Sequence, residues 1–103
     1  MNQRIEITPL GGERYAVTVH DGPTTTRHQV GVPPALASDL GLGAAEGERL
    51  VRTSFEFLLE REPATAILSE FDLDVIGRYF PEYVATMRQR VGPGRSTPRS
   101  TSG

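Results

Sequence analysis

The stretch RIEITPLGGERYAVTVHDGPTTTRHQVGV, residues 4–32, contains three segments in which apolar and polar residues alternate. A period of two places successive side chains on opposite faces of a β-strand. Residues 4–8, 14–20 and 25–32 each bring apolar side chains to one face, and His28 shares that face of the third segment. Turn-forming residues separate the segments, with Pro-Leu-Gly-Gly after the first and Asp-Gly-Pro after the second. The pattern predicts a three-stranded antiparallel meander.

The two turns also predict how the strands pair. We expect the first hairpin to place Ile7 opposite Tyr15, and the second to place Val17 opposite His28. Both pairings bring the apolar side chains to the same side of the sheet. The other side then carries polar and charged residues, namely Arg4, Glu6, Arg14, Thr18, His20 and Arg27.

The hydrophobic period changes to that of a helix after residue 32. Pro33-Pro34 favours the start of a short helix, and Gly41 favours its end. The longest helical pattern covers residues 48–61 and ends before Pro63. Three shorter helices are predicted after it, namely residues 65–70, a helix that Asp72 caps and Pro81 ends, and residues 82–91.

These elements predict an α+β fold in which four to five C-terminal helices pack on the apolar face of the meander. A three-stranded sheet cannot cover its own apolar face, and the helices carry matching apolar stripes. A chain of 103 residues is long enough for one domain, which we expect over residues 1–91. Residues 92–103 hold no large apolar residue and are predicted to form a disordered basic tail.

Composition narrows the classes of function. The chain contains no cysteine, which excludes disulfides, thiolate zinc sites and cysteine nucleophiles. Residues 1–6 lack the apolar core of a signal peptide, and no segment is apolar over the length of a bilayer-spanning helix. We therefore expect a cytoplasmic protein without a membrane partner.

The net charge of −2 conceals an uneven distribution. Residues 1–82 hold all thirteen acidic residues and seven arginines, a net charge of −6, whereas residues 83–103 hold four arginines and no acid. A basic end on an acidic body can bind nucleic acid or an acidic partner. The alternative interpretation is a solvated tail.

No group of residues has the spacing of a catalytic, metal or cofactor site. The three carboxylates within residues 70–74 are explained by a helix end and a capped helix start. His20 and His28 are expected on opposite sheet faces, so one metal ion cannot bind both. The glycine-rich residues 41–47 follow a helix instead of a strand, and the chain has no lysine for a phosphate loop. The sequence therefore predicts a protein that is not an enzyme and has no cofactor.

The helical half carries more apolar surface than one sheet face requires. Apolar side chains within residues 50–59 cover much of the helix circumference, and aromatic residues lie beside arginines within residues 71–90. The candidate interaction residues are Phe55, Phe57, Leu59, Arg78, Tyr79, Phe80, Tyr83, Arg88 and Arg90. For the wide stripe of residues 50–59, the sequence favours a helix buried on two sides within the domain, and the alternative interpretation is a dimer or partner interface.

Several segments resemble those of short, uncharacterised bacterial proteins. They are HQVGVPP at 28–34, LVRTSFEFLLEREP at 50–63, IL at 67–68, FDL at 71–73 and RYFPEY at 78–83. This resemblance implies no activity. Residues 30–42, Val-x-Val-Pro-x-x-Leu-x-x-x-Leu-Gly-Leu, are also similar to the strand-to-helix element of AbrB/MazE-type swapped-hairpin regulators and antitoxins. Those proteins return to strands after a glycine turn, whereas this chain enters a helix, and their basic DNA-contacting residues have no clear match here.

Two hypotheses about function follow from these features. The first is a non-enzymatic protein-interaction module, a small adaptor, accessory subunit or regulator, whose partner is another protein or a second copy of the chain. The second is a nucleic-acid-associated regulator or antitoxin-like protein that uses the basic C-terminal region. A third class, an enzyme or ligand binder, would require a deep polar pocket near His28 or Tyr79.

Overall fold

The chain folds into one mixed sheet of four strands with helices on its apolar face. The computed structural model describes residues 3–43 and 46–91. The strands are β1 (Gln3–Gly11), β2 (Arg14–Asp21), β3 (Thr24–Gly31) and β4 (Glu70–Asp72), in that order across the sheet. The α+β class is therefore confirmed. The prediction of a three-stranded antiparallel sheet was wrong, because β4 adds to β3 in parallel. The predicted tail, residues 92–103, lies outside the described residues.

The fourth strand lies where a helix over residues 65–70 was predicted. Only a short 3₁₀ helix, Ala64–Ala66, forms there. The Gln29 amide donates to the Ser69 carbonyl at 2.8 Å, and the Leu73 amide donates to the Gly31 carbonyl at 3.0 Å. Asp72 belongs to the strand and does not cap the next helix. Three residues are too few for an alternating pattern, so this strand is defined by its long-range partner.

The second hairpin pairs as predicted, and the first is displaced by two residues. Val17 lies opposite His28, whereas Ile7 lies opposite Val17 and not opposite Tyr15. The first strand continues through Pro9, and its register shifts only before the turn at Gly11. Proline is tolerated there because β1 is an edge strand. A displacement of two preserves the face of every side chain, so the apolar face was predicted correctly.

Four α-helices follow the hairpins. They are α1 (Pro34–Asp39), α2 (Gly47–Leu59), α3 (Asp74–Tyr79) and α4 (Tyr83–Val91). Two prolines precede or open α1, where the missing backbone donors are not needed. The long predicted helix is confirmed as α2, which ends two residues earlier than expected. α3 and α4 occupy the last two predicted helical segments.

The core lies between the sheet and these helices, and α2 is buried on two sides. Phe55 packs on the sheet side, with its ring centroid 5.2 Å from that of His28. Phe57 packs on the opposite side, with centroids 5.9 Å from Phe80 and 5.5 Å from Tyr83. The wide apolar stripe of α2 is therefore used within the domain, which is the interpretation that the sequence favoured.

A buried polar contact joins α2 to α4. The hydroxyls of Ser54 and Tyr83 share a hydrogen bond of 2.7 Å, and Ser54 also lies 3.6 Å from the sulfur of Met87. Burial raises the pKa of the Tyr83 phenol, and the hydrogen bond from Ser54 offsets only part of this effect. Tyr83 is therefore a neutral hydrogen-bonding group of the core at physiological pH.

We expect the substitution Tyr83→Phe to lower the free energy of unfolding by about 1–2 kcal/mol, because it leaves a buried hydroxyl short of a partner. Urea denaturation would measure the loss. Tyr79→Phe is the matched control, since the Tyr79 side chain is exposed. Above about pH 10 an unfolded tyrosine loses a proton that folded Tyr83 keeps, so stability falls as pH rises. The Tyr83→Phe variant should lack the part of this pH-dependent loss of stability that comes from Tyr83. Equal stability of the Tyr83→Phe and Tyr79→Phe variants at neutral pH would contradict the buried hydrogen bond of Tyr83.

Candidate functional site

An apolar groove of about 310 Å³ opens on the helical side of the protein, where the end of α2 meets β4 and α3. Its lining residues are Leu58, Glu62, Ala66, Ile67, Leu68, Phe71, Val75, Ile76, Tyr79 and Phe80. All but two of these side chains are hydrocarbon. The Glu62 carboxylate and the Tyr79 hydroxyl are the polar side-chain groups of the lining.

Two large exposed apolar side chains lie on this groove. Among the described residues, Leu10, Leu68 and Tyr79 are the large apolar residues classed as exposed, at 49%, 51% and 68%. Leu68 and Tyr79 both line the groove. A single exposed apolar residue on a surface is ordinary, but two beside one apolar depression indicate a contact surface.

A buried histidine anchors the segment that carries Leu68. The Nδ1 atom of His28 lies 2.7 Å from the Leu68 carbonyl oxygen, and its Nε2 atom lies 2.9 Å from the Thr26 hydroxyl oxygen. A carbonyl oxygen only accepts, so Nδ1 carries a proton and donates it to Leu68, and Nε2 shares a hydrogen bond with the Thr26 hydroxyl. His28 is 4% exposed. The backbone of this part of the groove wall is therefore fixed to β3.

An arginine closes the neighbouring corner between α2 and α4. The guanidinium carbon of Arg61 lies 3.6 Å from the centroid of the Phe57 ring, and its Nε donates to the Glu82 carboxylate at 3.2 Å. Glu60 accepts from Arg90 at 3.3 Å, and this hydrogen bond lowers the pKa of Glu60. These contacts stabilise the packing of α4 against the end of α2.

The predicted interaction residues separate into core and surface groups. Phe55, Phe57 and Tyr83 are fully buried, so they contribute to packing and offer no contact surface in this fold. This corrects their assignment as interaction residues, and the cause is that α2 is covered on two sides. Leu59 is half-buried outside the groove.

The predicted arginines do not gather into one cationic surface with the groove. Arg90 bonds to Glu60, and the Arg88 guanidinium donates to the Asp39 carbonyl at 3.4 Å. Arg78 is exposed on α3. None of the three lines the groove.

The groove brings together two predicted residues and several that were not proposed as a site. Tyr79 and Phe80 line it as part of the predicted set. Leu68 was expected in the helix over residues 65–70, and neither Leu68 nor Phe71 was among the candidate interaction residues. The adjacent pair Ile67-Leu68 is the signal that was available, because two consecutive bulky residues in an extended segment cannot both face the core. Ile67 is buried and Leu68 is exposed.

A second cavity of about 260 Å³ lies between Tyr15, Val32, α1 and the start of α2. It is lined by both polar and apolar groups, and no function is assigned to it.

The last candidate features are a metal site and a membrane-spanning helix. Within residues 3–43 and 46–91, no cluster of three or more histidine, aspartate or glutamate side chains is arranged to hold a metal ion. The Glu70 carboxylate of the acidic segment instead accepts from the Arg14 guanidinium at 3.0 Å. No helix in this part of the chain is long and apolar enough to cross a membrane.

Comparison with known proteins gives no family for this chain. It matches no family model, no curated protein and no solved structure. The functional proposals below therefore depend on the geometry of the described residues alone.

Proposed function

We propose that this protein is a non-enzymatic interaction module, an adaptor, accessory subunit or regulator, that binds a protein partner through the apolar groove. The observation that carries this proposal is the position of Leu68 and Tyr79 on one apolar depression of about 310 Å³. Exposed apolar surface of this kind is retained in a small protein where a partner covers it.

The groove has the size and support needed to hold a bulky side chain of a partner. Burying one leucine or phenylalanine side chain contributes about 1.5–3 kcal/mol. The floor includes the buried residues Leu58 and Ile76, and the wall near Leu68 is held by His28. A preformed groove keeps the entropy cost of binding low, because little of the protein must be ordered.

The lining favours a polypeptide over a small polar metabolite. Metabolite sites place several polar groups around the ligand to fix its orientation. Here the lining side chains offer one carboxylate, Glu62, and one hydroxyl, Tyr79. An apolar anchor with a polar rim is instead typical of protein interfaces.

The second hypothesis, a nucleic-acid-associated regulator or antitoxin-like protein, has less support. Arg88 and Arg90 are the basic residues of its proposed surface within the described range, and both bond to groups of this chain. Residues 92–103 carry the other two arginines of the basic region and lie outside the described residues. Tight duplex binding that weakens steeply with salt would favour this hypothesis over ours.

The proposed function predicts that peptides can be selected against the groove. A phage library of random linear peptides would be panned on the full chain, and enriched peptides would be synthesised and titrated by calorimetry. We expect each to contain a bulky apolar residue, and we expect Leu68→Asp to weaken binding by at least about tenfold, or about 1.4 kcal/mol. The introduced aspartate would be buried when the peptide binds, and this costs free energy because the residues that line the groove include no basic partner for it.

The matched control is the same substitution at Leu10, which is equally exposed but lies on β1. Leu10→Asp should leave peptide affinity unchanged, and thermal melts of both variants should match the parent protein. No enrichment of peptides, or equal affinity for both variants, would overturn the proposed function.

A further inference from the structure

We infer, building on the proposed function, that the partner segment binds as an extended strand alongside β4. In this arrangement it places one bulky apolar side chain in the apolar groove and carries basic residues beside it. The inference starts from the free edge of β4, which adjoins the groove through Phe71.

The outer edge of β4 presents unpaired backbone groups in a known direction. The Ser69 carbonyl and the Leu73 amide both bond to β3. Backbone groups alternate in direction along a strand, so those of Phe71 also face β3. The amides and carbonyls of Glu70 and Asp72 therefore point away from the sheet, as a strand-shaped ligand requires.

The same alternation shows which backbone groups of β1, the strand at the other edge of the sheet, face outward. The Gln29 amide faces β4, so its β2 partner Ala16 directs its backbone groups toward β1, where it pairs with Thr8. The residues of β1 at alternate positions then face outward. These include Ile5 and Ile7.

That edge is partly closed by the protein itself. The guanidinium of Arg52 donates to the Ile5 carbonyl at 2.9 Å. Pro9 is another outward-facing position, and proline has no amide hydrogen to donate. Charged side chains and prolines are the features that prevent an edge strand from accepting another strand. On β4, no side chain of the described residues bonds to the outward-facing backbone groups and there is no proline. Its charged residues, Glu70 and Asp72, disfavour an acidic strand and favour a basic one.

The groove and the edge can be occupied by one segment. Strands in a sheet lie about 4.8 Å apart, and residues opposite each other project side chains to the same face. A strand beside β4 therefore directs one side chain to the face of Phe71, which lines the groove. The β4 edge is short, so most of the binding energy would come from this apolar anchor and from charge.

Charge identifies the partner as basic and argues against a second copy of the chain. Residues 62–82 contain five acidic residues and one arginine, and two of the acids, Glu70 and Glu82, are bonded to arginines from outside this range. The other three carboxylates exceed the one arginine and leave a net charge of −2. Two copies pairing through β4 in antiparallel fashion around Phe71 would place Glu70 of one opposite Asp72 of the other, and like charges in that position are destabilising. The basic residues 92–103 of this chain contain no large apolar residue for the groove. The ligand class is therefore a basic, extended segment of another protein with one bulky apolar residue.

The inference is tested with a selected peptide that loses affinity for the Leu68→Asp variant. Amide hydrogen exchange of the full chain would be followed by NMR with and without saturating peptide. We expect exchange at Glu70 and Asp72 to slow by at least about tenfold, and exchange at the outward-facing Ile7 amide to stay unchanged. Groove-dependent binding without protection at Glu70 and Asp72 would overturn the strand arrangement and leave the proposed function standing.

A peptide series gives an independent test of the backbone contacts. Single N-methylation along the peptide should weaken binding by about tenfold at alternate positions, where the amide faces β4, and little at the positions between. Asp72→Asn serves as a charge control that preserves the backbone, and it should weaken only peptides with a basic residue. A uniform effect of methylation, or a helical peptide in the complex by circular dichroism, would contradict the inference.

Discussion

Replacing Phe57 by alanine is expected to lower the free energy of unfolding by about 3–5 kcal/mol. The side chain is fully buried between α2 and α4, where it packs edge-on against Phe80 and Tyr83 and beneath the Arg61 guanidinium. Its loss removes apolar burial, two aromatic contacts and a cation–π contact together. Domains of this size are stable by about 5–15 kcal/mol, so the variant should lose a large fraction of its stability.

Urea denaturation followed by circular dichroism would measure this loss. Phe57→Leu retains most of the volume and should cost distinctly less than the alanine variant. Leu59→Ala, on the half-buried side of the same helix, provides a second comparison. A loss below about 1 kcal/mol for Phe57→Ala would show that α4 does not pack on α2 in this way.

Replacing His28 by alanine is expected to lower the free energy of unfolding by about 2–4 kcal/mol. The substitution removes a buried ring that packs on Phe55 and leaves the Leu68 carbonyl without its donor. Because His28 joins β3 to the segment before β4, the effect should also be local. Amides of residues 67–71 should exchange faster in this variant than in others of equal stability.

The matched control for this prediction is the other histidine. His20 lies on the opposite sheet face, 3.4 Å from the Glu6 carboxylate and partly exposed. His20→Ala should cost well below about 1 kcal/mol, since an exposed pair of this kind contributes little. Thr26→Val, which removes the hydroxyl that shares a hydrogen bond with His28, should give an intermediate loss. Equal losses for the two histidine variants would contradict the anchoring role.

The sequence predicted those parts of the fold in which local periodicity is strong. The alternation in residues 14–32 identified β2, β3 and their register, and the helical stripe of residues 48–61 identified α2. The register of the first hairpin was displaced because Pro9 was interpreted as a turn residue. An edge strand accepts a proline, and edge position is a property of the sheet, which no local pattern reports.

The sequence predicted much less of the candidate site than of the fold. Exposure separates Tyr79 from the buried Tyr83, and the two have the same local character of aromatic residues on short helices. Their difference arises from α2, because Tyr83 packs on Phe57 and Ser54 of that helix, whereas the Tyr79 side chain stays open to solvent. Leu68 is exposed although its neighbour Ile67 is buried, because the backbone at Ile67 is extended and turns consecutive side chains in opposite directions.

Local sequence patterns were sufficient for the strand faces, the long helix and the α+β class, because side-chain periodicity is a property of consecutive residues. The fourth strand, the two buried sides of α2 and the apolar groove depend on contacts between residues far apart in the sequence, such as those of His28 with Leu68 and of Ser54 with Tyr83. A strand of three residues is too short to show an alternating pattern, and a groove depends on which surfaces the neighbouring elements leave uncovered. Both features therefore form only when distant segments of the chain come together in the folded protein.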